Sequence, residues 1–108
     1  MKENNIENKL PSRPKTLKDI YDLVVALFPE AQDTEEEFIK MVVEDMSKDG
    51  LRTRTMREMI ADEKLNLPIE KHVPLNDFRW ASIAYLKKLN APQEIIKKLD
   101  GIFLKGFS

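Results

Sequence analysis

Basic and hydroxyl side chains cluster in the stretch DGLRTRTMREMI, where they could contact nucleic acid. A guanidinium group can hold a guanine edge or a phosphate through paired hydrogen bonds, and free amides at a helix N-terminus bind phosphate. The spacing predicts a turn that leads into a helix, with these groups near its start. The candidate DNA contacts are Arg52, Thr53, Arg54, Thr55 and Arg57. The alternative is that these arginines form a solvated rim, with Arg57 pairing with Asp62 or with a neighbour of Glu58 by helical spacing.

Two further candidates lie in the segment LNLPIEKHVPL. Apolar residues alternate there around Glu70 and Lys71, and two prolines are incompatible with a helix. We expect a short two-stranded ribbon or an extended loop, from which Lys71 and His72 would reach a DNA backbone. His72 is the single histidine of the chain, and its spacing from carboxylates does not favour a metal site.

Residue types that support catalysis are scarce. The chain has no cysteine, one histidine and three glycines, and it contains no glycine-rich phosphate loop. A nucleophile needs a nearby base and a group that orients the base. We therefore expect a protein that is not an enzyme and needs no cofactor and no metal.

The elements that would position these residues are helices. Apolar residues recur at helical spacing after five start signals, namely Thr16 with Asp19, Thr34 before three glutamates, Thr55 with Glu58, Asn76, and Pro92. This pattern predicts a mostly α fold of about five helices in one domain over residues 16–108, after a flexible polar tail over residues 1–15. Met59, Ile60, Trp80 and Tyr85 are expected to pack inward.

A helix-turn-helix is expected at about residues 34–63. Gly50 would reverse the chain, Leu51 would enter the core, and Thr55 would begin the second helix. GLRTRTMR, followed by LNLP, resembles the DNA-binding domain of the MerR family of transcription regulators over about residues 37–104. The matching positions are Gly50, Leu51, Thr55, Met56, Arg57, Leu65 and Pro68, with Lys71 and His72 at the wing and helices 76–89 and 92–104 behind it. The resemblance implies a winged-helix shape and DNA binding.

Charge is distributed unevenly along the chain. Residues 1–50 carry 7 basic and 12 acidic side chains, whereas residues 51–108 carry 11 and 7, although the formal net charge is -1. The basic half suits phosphate, and the acidic half suits a basic protein partner. Two basic doublets, Lys87 with Lys88 and Lys97 with Lys98, could touch phosphates or only solvate a helix face.

Location and self-association are the last expectations from the sequence. The longest apolar run, Leu23 to Phe28, is far shorter than the roughly 20 residues that cross a bilayer, so we expect a soluble cytoplasmic protein without membrane contact. The end GIFLKGF is apolar, and we expect Ile102 and Phe103 to dock on the core and Phe107 to contact a second copy of the chain.

Two functions agree with these observations. The first is a small non-catalytic protein that binds double-stranded DNA, either a transcription regulator or a phage or plasmid accessory factor. The second is a helical adaptor or inhibitor that binds a protein and does not bind DNA.

Overall fold

The computed structural model describes residues 12–46, 53–69 and 75–107. Five α-helices lie in these ranges, which confirms the mostly α fold. They are α1 (Leu17–Leu27), α2 (Glu35–Met46), α3 (Thr53–Glu63), α4 (Asn76–Lys88) and α5 (Gln93–Lys105), and 3-10 turns at Pro29–Ala31 and Lys64–Asn66 follow α1 and α3. No helix in the described ranges combines the length and apolar character that crossing a membrane requires.

Helix α1 begins where the sequence predicts, because Asp19 satisfies free amides ahead of its first turn. The Asp19 carboxylate accepts hydrogen bonds from the backbone amides of Lys15 and Thr16 at 2.8 and 3.2 Å. The helix ends at Leu27, and Pro29 then begins a 3-10 turn. Its inner face buries Leu17, Ile20, Tyr21 and Val24, which belong to the periodic apolar pattern that continues to Leu27 and Phe28.

The segment that follows α3 pairs with the chain just before α1. The Leu17 amide donates to the Leu67 carbonyl at 2.9 Å, and the Ile69 amide donates to the Lys15 carbonyl at 2.8 Å. Thr16 and Pro68 thus form an isolated antiparallel bridge. The described part of this segment thus pairs with residues at the start of the domain, and residues 70–74 of the expected ribbon or extended loop lie outside the described residues. Pairing is possible despite Pro68 because the neighbouring amide of Ile69 supplies the donor.

Helix α4 lies at the centre of the fold, where it packs most extensively on α2 and next on α5. Every helix contributes to one core, since the fully buried side chains come from α1 to α5 and from the segment after α3. The largest of them are Leu17, Ile20, Phe38, Ile60, Leu67, Phe78, Tyr85, Leu86 and Leu99.

A tight turn joins α4 to α5. The Asn90 amide donates to the Lys87 carbonyl and the Ala91 amide to the Leu86 carbonyl, each at 3.0 Å, which is the Schellman arrangement. Asn90 has φ 60°, a left-handed conformation that asparagine tolerates better than most residues. Pro92 is the N-cap residue of α5, so this helix begins at Gln93, one residue later than predicted. This turn sets α5 against α4.

Helix α3 differs from its prediction at both its start and its inner face. It begins at Thr53, so Thr55 lies in the first turn and is not the N-cap residue. Ile60 is fully buried, but Met59 is 40% exposed. The turn between α2 and α3, with Gly50 and Leu51, lies outside the described residues, and the helix-turn-helix therefore stays a prediction.

Candidate functional site

The predicted DNA contacts fall only partly within the described residues. Thr53, Arg54, Thr55 and Arg57 lie in the first half of α3. Three others, Arg52, Lys71 and His72, lie outside the described residues. The structure thus places four of the seven on one helix, and the joint surface stays a prediction.

A cluster of hydroxyl groups ties the start of α2 to α1. The Tyr21 hydroxyl donates to the Ala31 carbonyl at 2.6 Å and accepts the Thr34 amide at 3.1 Å. The Thr34 hydroxyl donates to the same Ala31 carbonyl at 2.6 Å. The sequence predicts that this hydroxyl caps the amides of α2, but it bonds backward to the preceding turn. Thr34 still precedes the helix, and its carbonyl accepts the Phe38 amide at 3.0 Å.

Tyr85 extends this cluster to the central helix α4. Its hydroxyl donates to the Thr34 carbonyl at 3.1 Å and contacts the Thr34 hydroxyl. Its ring meets Phe38 edge-on, with centroids 5.3 Å apart. Burial, with smaller contributions from Tyr21 and two nearby glutamates, raises the pKa of Tyr85 to about 12. These contacts indicate a structural role, in which two tyrosines hold the chain at the start of α2.

An aromatic and charged cluster lies on the other side of α4. Arg79 donates from Nε to Asp100 Oδ1 on α5 at 2.6 Å and from Nη1 to Asn76 Oδ1 at 3.0 Å. Its guanidinium carbon lies 4.4 Å from the centroid of the Trp80 ring, within the range of a cation–π contact. Arg79 is therefore held by three partners, and one of them is an aromatic ring.

The prediction that Trp80 packs in the core is wrong, since this side chain is 50% exposed. Helical spacing explains the result, because Trp80 lies opposite Phe78 and Tyr85 on α4 and shares a stripe with Ala84 and Lys87. This i, i+4, i+7 stripe carries one small and one basic residue and so differs from a core face. The stripe is thus a sequence signal against a core position, but the packing of the neighbouring helices decides whether Trp80 is exposed.

Basic side chains are exposed along α4 and α5. The lysine doublets Lys87 with Lys88 and Lys97 with Lys98 all reach solvent. Beyond them, Phe103 is partly buried and its ring meets that of Phe107 edge-on at 5.3 Å. Phe107 thus has an aromatic partner within its own chain.

Within residues 12–46, 53–69 and 75–107, no three or more histidine, aspartate or glutamate side chains come together in a way that could hold a metal ion.

Comparison with known proteins gives one similarity of functional interest. The chain is similar to the RNA-free ribonuclease P of Methanococcus aeolicus, with 38% identity over 53 residues, which are 49% of this chain and 22% of that protein. The match thus spans about a fifth of the relative's length. No protein-family model matches the chain, and no solved structure matches it. The resemblance to MerR regulators stays a prediction.

This similarity corrects two expectations from the sequence. The interpretation as a non-catalytic DNA-binding regulator, with a protein adaptor as the alternative, is contradicted because the relative is by name a ribonuclease, for which the nucleic acid is RNA. The expectation that no enzyme is involved is contradicted by the same name. The physical reason for the first error is that phosphate attracts arginine in the same way in DNA and RNA, and residue types alone do not separate the two.

Proposed function

We propose that this protein works in RNA processing, as a helical unit that binds RNA in a ribonuclease. The observation that carries the proposal is the 38% identity over 53 residues with the RNA-free ribonuclease P. We assign RNA binding to this chain, and the experiment that measures binding also tests for RNA cleavage.

The charges of the second half support RNA as the ligand. Residues 51–108 have an excess of four basic side chains, and the doublets of α4 and α5 are exposed. Lysines that face solvent can replace the counterions of a phosphate backbone, and release of those counterions favours binding. The excess is local, since the whole chain has a formal net charge of -1. We therefore expect the protein to bind RNA through its basic half, with its acidic half directed away from the RNA.

Cellular location follows from the proposed role. We place the protein in the cytoplasm, and the lack of cysteine agrees with a reducing compartment.

The test measures binding of the purified chain to a labelled RNA hairpin with single-stranded extensions, by fluorescence anisotropy at several salt concentrations. DNA of the same sequence is the competitor, and a denaturing gel with Mg²⁺ present reports cleavage. We expect tighter binding to RNA than to DNA. RNA affinity that is absent, or equal to that for DNA, would contradict the proposal.

A double variant locates the binding surface. Lys97→Ala with Lys98→Ala should reduce the slope of log K against log salt by about 1.4, the value expected for two lost contacts to single-stranded phosphates. The matched control is Lys15→Ala with Lys40→Ala, which removes the same charge from exposed positions in the acidic half. An equal change in both double variants would show that net charge alone governs binding.

A further inference from the structure

Trp80 is a large aromatic side chain that the fold leaves half exposed. The rest of α4 buries its large apolar residues, including Phe78, Tyr85 and Leu86. The Trp80 ring is thus the wide apolar surface that this helix offers to solvent. A ring in this position is available to stack on a planar ligand.

Arg79 holds the Trp80 ring in place. Its side chain is only 16% exposed, and it is joined to Asp100 at 2.6 Å while its guanidinium lies against the Trp80 ring. Because Asp100 belongs to α5, the ion pair links the ring to the packing of two helices. Trp80 therefore meets a ligand with less loss of side-chain freedom than an isolated surface tryptophan would.

Positive charge lies on the same outward stripe of the helix. Lys87 follows Trp80 by seven residues, which places it on the same face about 10 Å along the axis, and Lys88 is its neighbour. Both lysines are exposed. An aromatic ring about two helical turns from exposed cationic groups matches a single nucleic acid strand, in which bases stack and phosphates carry the charge.

We propose that Trp80 is a stacking platform for an unpaired base of RNA, and that Lys87 and Lys88 bind phosphates next to that base. This inference rests on the proposed function, since it takes RNA as the ligand. A second copy of the chain is the competing occupant, and the lysines disfavour it because two copies would bring like charges together.

Trp80 is the single tryptophan of the chain, so its fluorescence reports directly on RNA binding at this site. The full chain is titrated with single-stranded RNA while tryptophan emission is followed, and anisotropy of the labelled RNA measures binding independently. We expect quenching that follows binding, because a stacked base lies against the indole. An oligomer of the same length without bases, which keeps its phosphates, should bind more weakly and leave the emission unchanged.

Substitutions of Trp80 distinguish a loss of base stacking from a loss of folding. Trp80→Ala should weaken RNA binding at least about fivefold, and Trp80→Phe should restore part of that loss, since base stacking on a ring is worth roughly 1 kcal/mol or more. Leu104→Ala is the matched control, because it also removes an exposed apolar side chain, here one that is 66% exposed on α5. Circular dichroism checks that each variant keeps the helical fold.

The results separate a failure of the stacking site from a failure of the proposed RNA-binding function. RNA binding with unchanged emission, and equal affinity for Trp80→Ala, would overturn the stacking site and leave the RNA role intact. A complete lack of RNA binding would overturn both. An emission shift that depends on protein concentration alone, and that disappears on dilution, would assign Trp80 to contact between copies and overturn the proposal.

Discussion

Removing the hydroxyl of Tyr85 tests whether the cluster at the start of α2 stabilises the fold. Tyr85→Phe keeps the ring and its edge-on contact with Phe38, and it deletes the bond to the Thr34 carbonyl at 3.1 Å. The contact with the Thr34 hydroxyl is lost as well. Because Tyr85 is fully buried, water does not readily take the place of its hydroxyl.

The expected loss in the free energy of unfolding is about 1–2 kcal/mol. A typical hydrogen bond contributes about 0.5–1.5 kcal/mol net, and a buried acceptor left without a partner costs about 1–3 kcal/mol. Thr34 is only partly buried, so water restores part of that cost. The estimate therefore lies near the upper end of the hydrogen-bond range.

Ser82 provides the matched control on the same helix. Its side chain is also fully buried, but among the described residues its hydroxyl has no hydrogen-bond partner. Ser82→Ala removes a buried polar group that gains nothing in the fold, and alanine is the better helix former by about 0.5 kcal/mol. We expect the free energy of unfolding to stay unchanged or to rise by up to about 1 kcal/mol. Of the two deletions, which are three residues apart, only Tyr85→Phe should thus lower the free energy of unfolding.

Urea unfolding followed by far-ultraviolet circular dichroism measures both variants. A lower midpoint for Tyr85→Phe, with an unchanged slope, would report a loss of stability without a change in the surface exposed on unfolding. Equal losses in the two variants would refute the reasoning, because they would show that hydroxyl deletion at α4 costs stability whether or not the hydroxyl is bonded.

Three further predictions concern charge, pH and backbone. Asp100→Asn should lower the free energy of unfolding by about 1–2 kcal/mol, since Arg79 loses a charge-assisted bond, and acrylamide should then quench the tryptophan more strongly than in the wild type. Because the pKa of Tyr85 is raised, its stabilising contribution is complete below about pH 10 and is lost as the pH rises towards 12. The difference in the free energy of unfolding between the wild type and Tyr85→Phe should therefore shrink between these two pH values. Unfolding measured at each pH tests this expectation. Gly101→Ala should raise the melting temperature, because an added Cβ there meets nothing within 4 Å and alanine is favoured over glycine inside a helix by about 1 kcal/mol. Gly106→Ala should lower the melting temperature, because Gly106 has φ 88°, a conformation that residues other than glycine rarely adopt.

Much of the helical fold could be predicted from the sequence. The apolar spacing of α1 and the Thr16 with Asp19 start signal are local features, and the structure agrees with them. The starts of α3, α4 and α5 differ from the predicted ones by one to three residues, because several residues near a helix start can satisfy the same free amides. The pairing of Leu67 with Leu17 joins segments fifty residues apart, and no local pattern specifies it.

The candidate site was predictable only in part. The exposed lysine doublets are visible as charges in the sequence, but whether an aromatic residue nearby is buried depends on which helix covers it. Trp80 lies on the face of α4 that the neighbouring helices leave uncovered, and Arg79 is fixed by Asp100 across the helix pair. The proposal that RNA is the ligand rests on the similarity to a ribonuclease, because phosphate chemistry is common to DNA and RNA and does not separate them.

By itself, the sequence determined the helical class, the positions of most helices and the separation of acidic and basic halves, since these depend on periodicity, start signals and composition within short windows. The tertiary structure alone decided the partners of Thr34, the pairing of Leu67 with Leu17 and the exposure of Trp80. The physical reason is that hydrogen-bond partners and burial depend on which distant segments pack together, and packing energy outweighs the weak local preference of any single residue.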